Sequence, residues 1–201
     1  KALKGEVKTQ GNWGEVILER ILEESGLREG HEYILQGEGL EMRNTAGNRI
    51  RPDVVVKLPQ DKHVIVDAKV SLVAYERYAN STDLEEQTAA GIDLVKSLKA
   101  HIDGLHSRAY QRQPGVNSPD FVILFMPLEG AFATALSLDP KLSSYAWDRK
   151  IILTTPTTLM ATLWIIAQIW RQENQEAHAL EIARQSGALY DKFVGFISSL
   201  D

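Results

Sequence analysis

Arg51-Pro-Asp-Val-Val-Val-Lys57 and His63-Val-Ile-Val-Asp-Ala-Lys69 are joined by Leu58-Pro-Gln-Asp-Lys62. Two β-branched apolar runs separated by a short polar turn specify an antiparallel hairpin. Successive strand residues alternate faces, so Asp67 and Lys69 project together while Val66 and Ala68 face the other way. A loop centred near Gln60 sets Asp53 opposite Asp67 or one position from it. Cross-strand neighbours lie about 4.5–5.5 Å apart at Cβ, so two carboxylates and an ammonium converge where a divalent cation fits. A hairpin with only a structural role has no reason to gather these charges, because burying charge is costly.

Upstream, Trp13, Val16, Ile17, Ile21 and Leu22 recur at helical spacing within a helix over about 8–25, and Ser25-Gly26-Leu27 forms a glycine cap at its end. A first strand covers Tyr33 to Gln36, or runs on toward Arg43 after the Gly37-Glu-Gly39 interruption, with Asn44 to Asn48 as the turn before the hairpin. Downstream, Thr82-Asp-Leu-Glu85 is a capping-box pattern that opens a long helix ending near Leu105. Phe121-Val-Ile-Leu-Phe-Met126, bounded by Pro119 and Pro127, reads as a central strand buried on both faces. Short helices over Ala131 to Leu138 and Lys141 to Asp148 precede a strand at Ile151-Ile-Leu153. Thr155-Pro156 then supplies an N-cap and an N1 proline for a long C-terminal helix, with a bend or break expected around Gln172 to Glu176. The order is α-β-β-β-α-β-α-α-β-α, an α/β fold with a mixed central sheet flanked by helices. It is read as one domain over 1–201, with a core at about 8–155 and a helical extension at about 156–201.

The chain has 201 residues with 44% hydrophobic content, enough for one substantial core. It has no cysteine, which excludes disulfides, thiolate zinc sites and thiol nucleophiles and suits a reducing, cytoplasmic setting. The longest apolar stretch, near Thr158 to Trp170, is interrupted by Thr162 and Gln168 and is shorter than the roughly 20 residues of a membrane span, so no membrane contact is expected. The chain starts without an initiator Met and ends inside a helical pattern, which suggests a segment of a longer protein. A net charge of −5 argues against a generally basic nucleic-acid coat. Arg43, Arg49, Arg51 and Lys57 nevertheless surround the first hairpin strand and form a candidate phosphate-binding groove, with Asn12 of helix one beside it.

Gly11-Asn-Trp-Gly-Glu15 places a carboxylate between glycines and an apolar face, so Glu15 is expected to point toward the sheet. The two glycines each lower helix propensity by about 1 kcal/mol relative to Ala, which suggests close packing or close approach to a ligand. Glu129 is explained by a helix N-terminus, and Thr154-Thr-Pro-Thr-Thr158 by capping about as well as by phosphate binding. His101 and His106, five apart on one helix, sit on different faces, which disfavours a shared metal and leaves both as structural or surface residues. No Walker or dinucleotide loop is present. Trp164 and Trp170, with Ile165, Ile166 and Ile169, suit a core or a partner-helix seam better than a base-stacking platform. Leu180, Ile182, Ala183, Leu189, Phe193, Phe196 and Ile197 are too many apolar residues for a solitary solvated helix, so they either pack back on this domain or meet another subunit, with a homo-oligomer the favoured alternative.

Pro52-Asp53, followed after a gap of thirteen residues by Asp67-Ala-Lys69, resembles the PD-(D/E)XK nuclease pattern, with Asp in the second acidic position. Together with Gly11-Asn-Trp-Gly-Glu15, Arg51-Pro-Asp-Val-Val55, Tyr75-Glu-Arg-Tyr78 and Pro156-Thr-Thr-Leu159, it resembles the RmuC family of bacterial DNA recombination proteins over nearly the whole chain. The resemblance implies a restriction-endonuclease-like core (αβββαβ) inside a longer protein with coiled-coil flanks, acting on DNA as a metal-dependent nuclease. By that pattern Asp53 and Asp67 bind Mg²⁺ or Mn²⁺ with the Ala68 carbonyl, Lys69 orients or activates the attacking water, and Glu15 completes the metal shell. The competing expectation is a DNA-binding or oligomeric scaffold that keeps the fold without turnover.

Overall fold

The computed structural model describes residues 2–40, 42–43, 50–68, 72–108, 110 and 121–198, with the backbone alone at 2–12, 72 and 193–198. In chain order the elements are α1 (Ala2–Glu24), β1 (Tyr33–Leu35), β2 (Val54–Leu58), β3 (Lys62–Ala68), α2 (Leu72–Asn80), α3 (Leu84–Arg108), β4 (Val122–Phe125), α4 (Glu129–Leu138), α5 (Leu142–Asp148), β5 (Ile151–Thr154) and α6 (Pro156–Ser198). The five strands form one mixed sheet in the order β1-β2-β3-β4-β5, antiparallel from β1 to β3 and parallel from β3 to β5.

Strand alternation divides the core into two layers. Val54 and Val56 of β2, Val64, Val66 and Ala68 of β3, and Ile123 and Phe125 of β4 pack against Leu18, Ile21 and Leu22 of α1 and Leu159, Leu163 and Ile166 of α6. On the opposite face Val55, Ile65, Val122 and Leu124 meet Leu94, Leu98, Ile102 and Leu105 of α3, with Ala131 and Ala135 of α4 and Leu142 and Ala146 of α5 beyond. The result is a helix–sheet–helix sandwich. Every residue of β4 is buried, as its unbroken apolar run requires in a strand covered on both faces.

Several boundaries differ from the sequence reading. A helix, α2, stands between β3 and α3, so two helices separate the third and fourth strands where the αβββαβ pattern has one. Its short segment Leu72–Asn80 lies just ahead of the cap signal, which hid it. The cap of α3 is Asp83, whose Oδ1 accepts the Glu85 N–H at 2.9 Å, and not Thr82. Trp13 and Val16 are exposed, and the buried stripe of α1 runs through Leu18, Ile21 and Leu22. Gly14 is buried, but a Cβ there would meet the Pro127 ring at an ordinary 3.5 Å, so packing does not demand glycine. No break interrupts the last helix at Gln172 to Glu176: α6 is one continuous helix. Its first turns belong to the core, through Leu159, Leu163, Ile166 and Ala167, and Trp170 donates its indole N–H to the Lys57 carbonyl at 2.9 Å. From Arg171 to Lys192 nearly every residue is exposed, Leu180, Ile182, Leu189 and Tyr190 among them. No helix among the described residues is long and apolar enough to cross a membrane.

Gly26 ends α1 in the left-handed conformation (φ +84°), after the Ser25 N–H has bonded to the Ile21 carbonyl at 3.0 Å. The last helix, α6, starts on a cap in which Thr158 Oγ1 accepts the Thr155 N–H at 2.8 Å. Glu129 adds a second acceptor, taking the Thr157 N–H at 3.0 Å. Those hydrogen bonds from Thr157 hold the Glu129 carboxyl below its usual range, so it caps α6 as well as opening its own helix.

Candidate active site

The hairpin register pairs Val54 with Val66 and Leu58 with Lys62, across a loop centred on Gln60. Both Gln60 (φ 62°) and Asp61 (φ 55°) take the left-handed conformation that turns the chain tightly. Continuing the register by one residue brings Asp53 opposite Asp67, at the C-terminal edge of the parallel strands β3, β4 and β5. Open α/β sheets bind their ligands at that edge. Asp53 Oδ2 accepts the Ala68 backbone N–H at 2.6 Å, so its side chain closes the end of the β2–β3 ladder.

Asp53 also lines a cleft of about 470 Å³ with Glu15, Leu18 and Glu19 of α1, and with Glu29, Gln36, Glu38 and Arg51 from the loops around β1. Burial pushes the Asp53 carboxyl up to about 7, and the charges of Asp67 and Glu15 add to the rise; the Ala68 hydrogen bond and Arg108 oppose it without cancelling it. Burial and like charge together favour the protonated form of Asp53.

Asp67 has a different environment. It shares its face of β3 with Ile65, looks toward α3, and its side chain is only 5% exposed. Arg108 Nη1 donates to Oδ1 at 2.9 Å, and His101 Nε2 lies 3.1 Å from Oδ2. The same Arg108 nitrogen donates to the Tyr110 hydroxyl at 3.1 Å. Burial and the neighbouring Asp67 raise the Tyr110 phenol to about 12, so it stays protonated. Reading the sequence missed this trio. Its signal was present in α3, where His101 and Arg108 fall two turns apart on the stripe of Leu94, Leu98 and Leu105, placing polar groups among positions that face the sheet.

The remaining expected site residues are distributed as follows. Glu15 is half-buried in the cleft beside Asp53, and Arg51 lines the same cleft. Arg43 is exposed on the loop before β2. Lys57 lies at the far end of β2 from Asp53, where its Nζ donates to the Gly30 carbonyl at 3.2 Å, so it does not join a groove around the carboxylates. Lys69, Arg49 and the side chain of Asn12 fall outside the described residues. The cleft carries more acidic than basic side chains, unlike the basic groove expected around the first hairpin strand. His106 turns to the Arg149 carbonyl at 3.0 Å and has no part in the site.

Among the described residues no three His, Asp or Glu side chains form a ready-made metal cage. Two opposed carboxylates nonetheless suit Mg²⁺, which keeps several waters and takes one or two protein carboxylates plus substrate phosphate oxygens. The donor set therefore fits a hard divalent ion.

The RmuC family model matches residues 1–201. A DNA recombination protein RmuC homolog of Pseudomonas aeruginosa is 50% identical over 202 residues, covering 100% of this chain and 44% of that protein. A homolog of the same name from Vibrio cholerae is 45% identical over 201 residues, covering 100% of this chain and 39% of that protein. The DNA recombination protein RmuC of Escherichia coli K12 is 46% identical over 200 residues, covering 100% of this chain and 42% of that protein. The chain thus spans less than half the length of these relatives. No solved structure matches it.

Proposed function

The chain belongs to the RmuC family, and from that premise we propose that it is a nuclease-like domain of PD-(D/E)XK type that hydrolyses phosphodiester bonds during DNA recombination or repair. The observation that carries the reading is the Asp53–Asp67 pair at the C-terminal edge of the sheet, with Asp53 pushed up to about 7 by burial and by the charge of Asp67. A bound Mg²⁺ or Mn²⁺ supplies polarisation of the phosphoryl group and a lowered pKa for its water. Asp53 and Asp67 hold the ion, the Ala68 carbonyl offers a further oxygen, and Glu15 adds charge from α1. Lys69, next along the chain from β3, orients the attacking water and stabilises charge developing on the phosphate. Arg51, with Arg43, Arg49 and Asn12, binds the DNA backbone. The domain works in the cytoplasm and assembles into a homo-oligomer through the exposed stretch of α6.

The experiment is incubation of the purified chain with single-stranded, duplex and branched DNA in Mg²⁺, Mn²⁺ or EDTA. The reading expects cleavage that requires metal and is lost in Asp53→Ala and Lys69→Ala with the fold intact. Wild-type cleavage by either variant removes the assigned site. A second reading, a DNA-binding scaffold without turnover, is favoured by one observation: Arg108 and His101 engage both oxygens of Asp67. It expects salt-dependent DNA binding with no cleavage in any metal.

A further inference from the structure

Arg108 holds one oxygen of the buried Asp67 carboxylate, and the geometry is not that of a permanent structural bridge. A guanidinium that locks a carboxylate does so through two parallel N–H···O bonds. Here a single nitrogen, Nη1, serves both Asp67 Oδ1 at 2.9 Å and the Tyr110 hydroxyl at 3.1 Å. Among the described residues no acceptor meets Nε or Nη2, and the Arg108 side chain is 33% exposed where that of Asp67 is 5% exposed. The guanidinium also stands 6.0 Å from the centre of the Tyr110 ring. Tyr110 is fully buried, so it is a fixed pivot that Arg108 keeps if Asp67 is withdrawn from it.

We propose that Arg108 is an exchangeable counter-charge: it neutralises Asp67 in the empty site, yields that carboxylate to an incoming divalent cation, and then turns its free N–H groups to a DNA phosphate. This rests on the reading of Asp67 as a metal-binding residue. The physical reason is charge balance. A buried carboxylate left alone is costly, so the empty site needs a resident cation, and a guanidinium released by metal keeps its charge at all working pH values and matches phosphate geometry. Binding of metal and binding of DNA are then coupled, because each favours the same position of Arg108, and the coupling acts equally in both directions. Arg108 acts on the metal site through Asp67, which makes it a positioning residue there, and it meets the DNA directly only after the exchange.

The test measures binding and not turnover. Mn²⁺ affinity is measured by calorimetry for the wild-type chain, Arg108→Gln and Asp67→Asn, each with and without a short DNA duplex, using Ca²⁺ in place of Mn²⁺ for DNA-affinity measurements to prevent cleavage. The expected result is Mn²⁺ binding about tenfold tighter in Arg108→Gln than in wild type, loss of binding in Asp67→Asn, and a gain in DNA affinity on adding Ca²⁺ that wild type shows and Arg108→Gln does not. Binding abolished in Asp67→Asn but unchanged in Arg108→Gln leaves the metal reading standing and overturns the exchange. Absence of Mn²⁺ binding in both wild type and Arg108→Gln overturns both. Should Arg108→Gln fail to fold, the Arg108 Nε–H resonance of wild type is followed during Mg²⁺ titration. A signal that moves in step with Mg²⁺ uptake supports the exchange, and one that stays put during saturation overturns it.

Discussion

Replacing Asp53 by Asn keeps an oxygen for the Ala68 N–H and removes the charge that the site tolerates poorly. The folded Asp53 carboxyl titrates at about 7 against an ordinary 3.8, chiefly because of burial and then because of Asp67. Between these two values the native chain holds a proton that the unfolded chain has released, so stability falls as pH rises through the window and levels off above about 7. A rise of just over three units, at about 1.4 kcal/mol each, corresponds to an upper figure of ~4 kcal/mol. Asp53→Asn does not titrate there. It should therefore match the parent near pH 4, exceed it by about 1–2 kcal/mol at pH 5, and exceed it by up to ~4 kcal/mol at pH 8. Urea unfolding of both proteins in EDTA across this range isolates the effect, because every other titrating group is common to the pair. Adding Mg²⁺ at pH 8 should stabilise the parent and not Asp53→Asn, since only the parent retains the ligand. Parallel stability curves from pH 5 to 8 would refute the reasoning, because they would mean that Asp53 ionises as an ordinary exposed carboxyl.

Glu15→Gln should lower the Asp53 carboxyl, because the Glu15 charge is one of the influences that raise it; an unmoved Asp53 carbon resonance in an NMR pH titration would place Glu15 outside electrostatic reach. A methyl at Gly130 would collide with the Tyr75 hydroxyl, so Gly130→Ala should cost about 1–3 kcal/mol in chemical denaturation, and Tyr75→Phe in the same chain should recover much of it. No recovery would show that the backbone of α4, and not the Tyr75 hydroxyl, resists the change. Leu180 and Leu189 are 73% and 70% exposed, so Leu180→Glu with Leu189→Glu should leave monomer stability within about 0.5 kcal/mol yet shift light scattering toward monomer, whereas a wild-type chain already monomeric at high concentration contradicts assembly through α6. DNA affinity should fall linearly with the logarithm of salt, and Arg51→Ala should reduce the slope by about one; an unchanged slope removes Arg51 from the phosphate contacts.

The hairpin was readable because its determinants are local. β-branched alternation and a three-residue loop set the pairing of Val54 with Val66, and the opposition of Asp53 and Asp67 follows within a span of fifteen residues. The apolar run at β4 and the Thr155-Pro156 start of α6 were readable for the same reason, each resting on neighbours in the chain. The α2 segment escaped because its nine residues give few helical periods beside the 25 residues of α3, whose cap signal follows directly. Trp13 and Val16 are exposed because the buried face of α1 passes through Gly14, Leu18, Ile21 and Leu22, and with 3.6 residues per turn Val16 falls nearly opposite Leu18.

The sequence by itself determined the strand hairpin, the nearness of its two carboxylates to within one position of register, the doubly covered strand and the cap that launches the last helix. Only the tertiary structure decided what surrounds those carboxylates. His101 and Arg108 stand 34 and 41 residues from Asp67, and they reach it because α3 lies across the face of β3 that carries Ile65 and Asp67. Asp53 owes its raised carboxyl to desolvation in a cleft that α1 closes from the other side of the sheet. Periodicity assigns a residue to a face, but burial, counter-charge and ionisation depend on which distant element covers that face, and that is settled only when the layers pack.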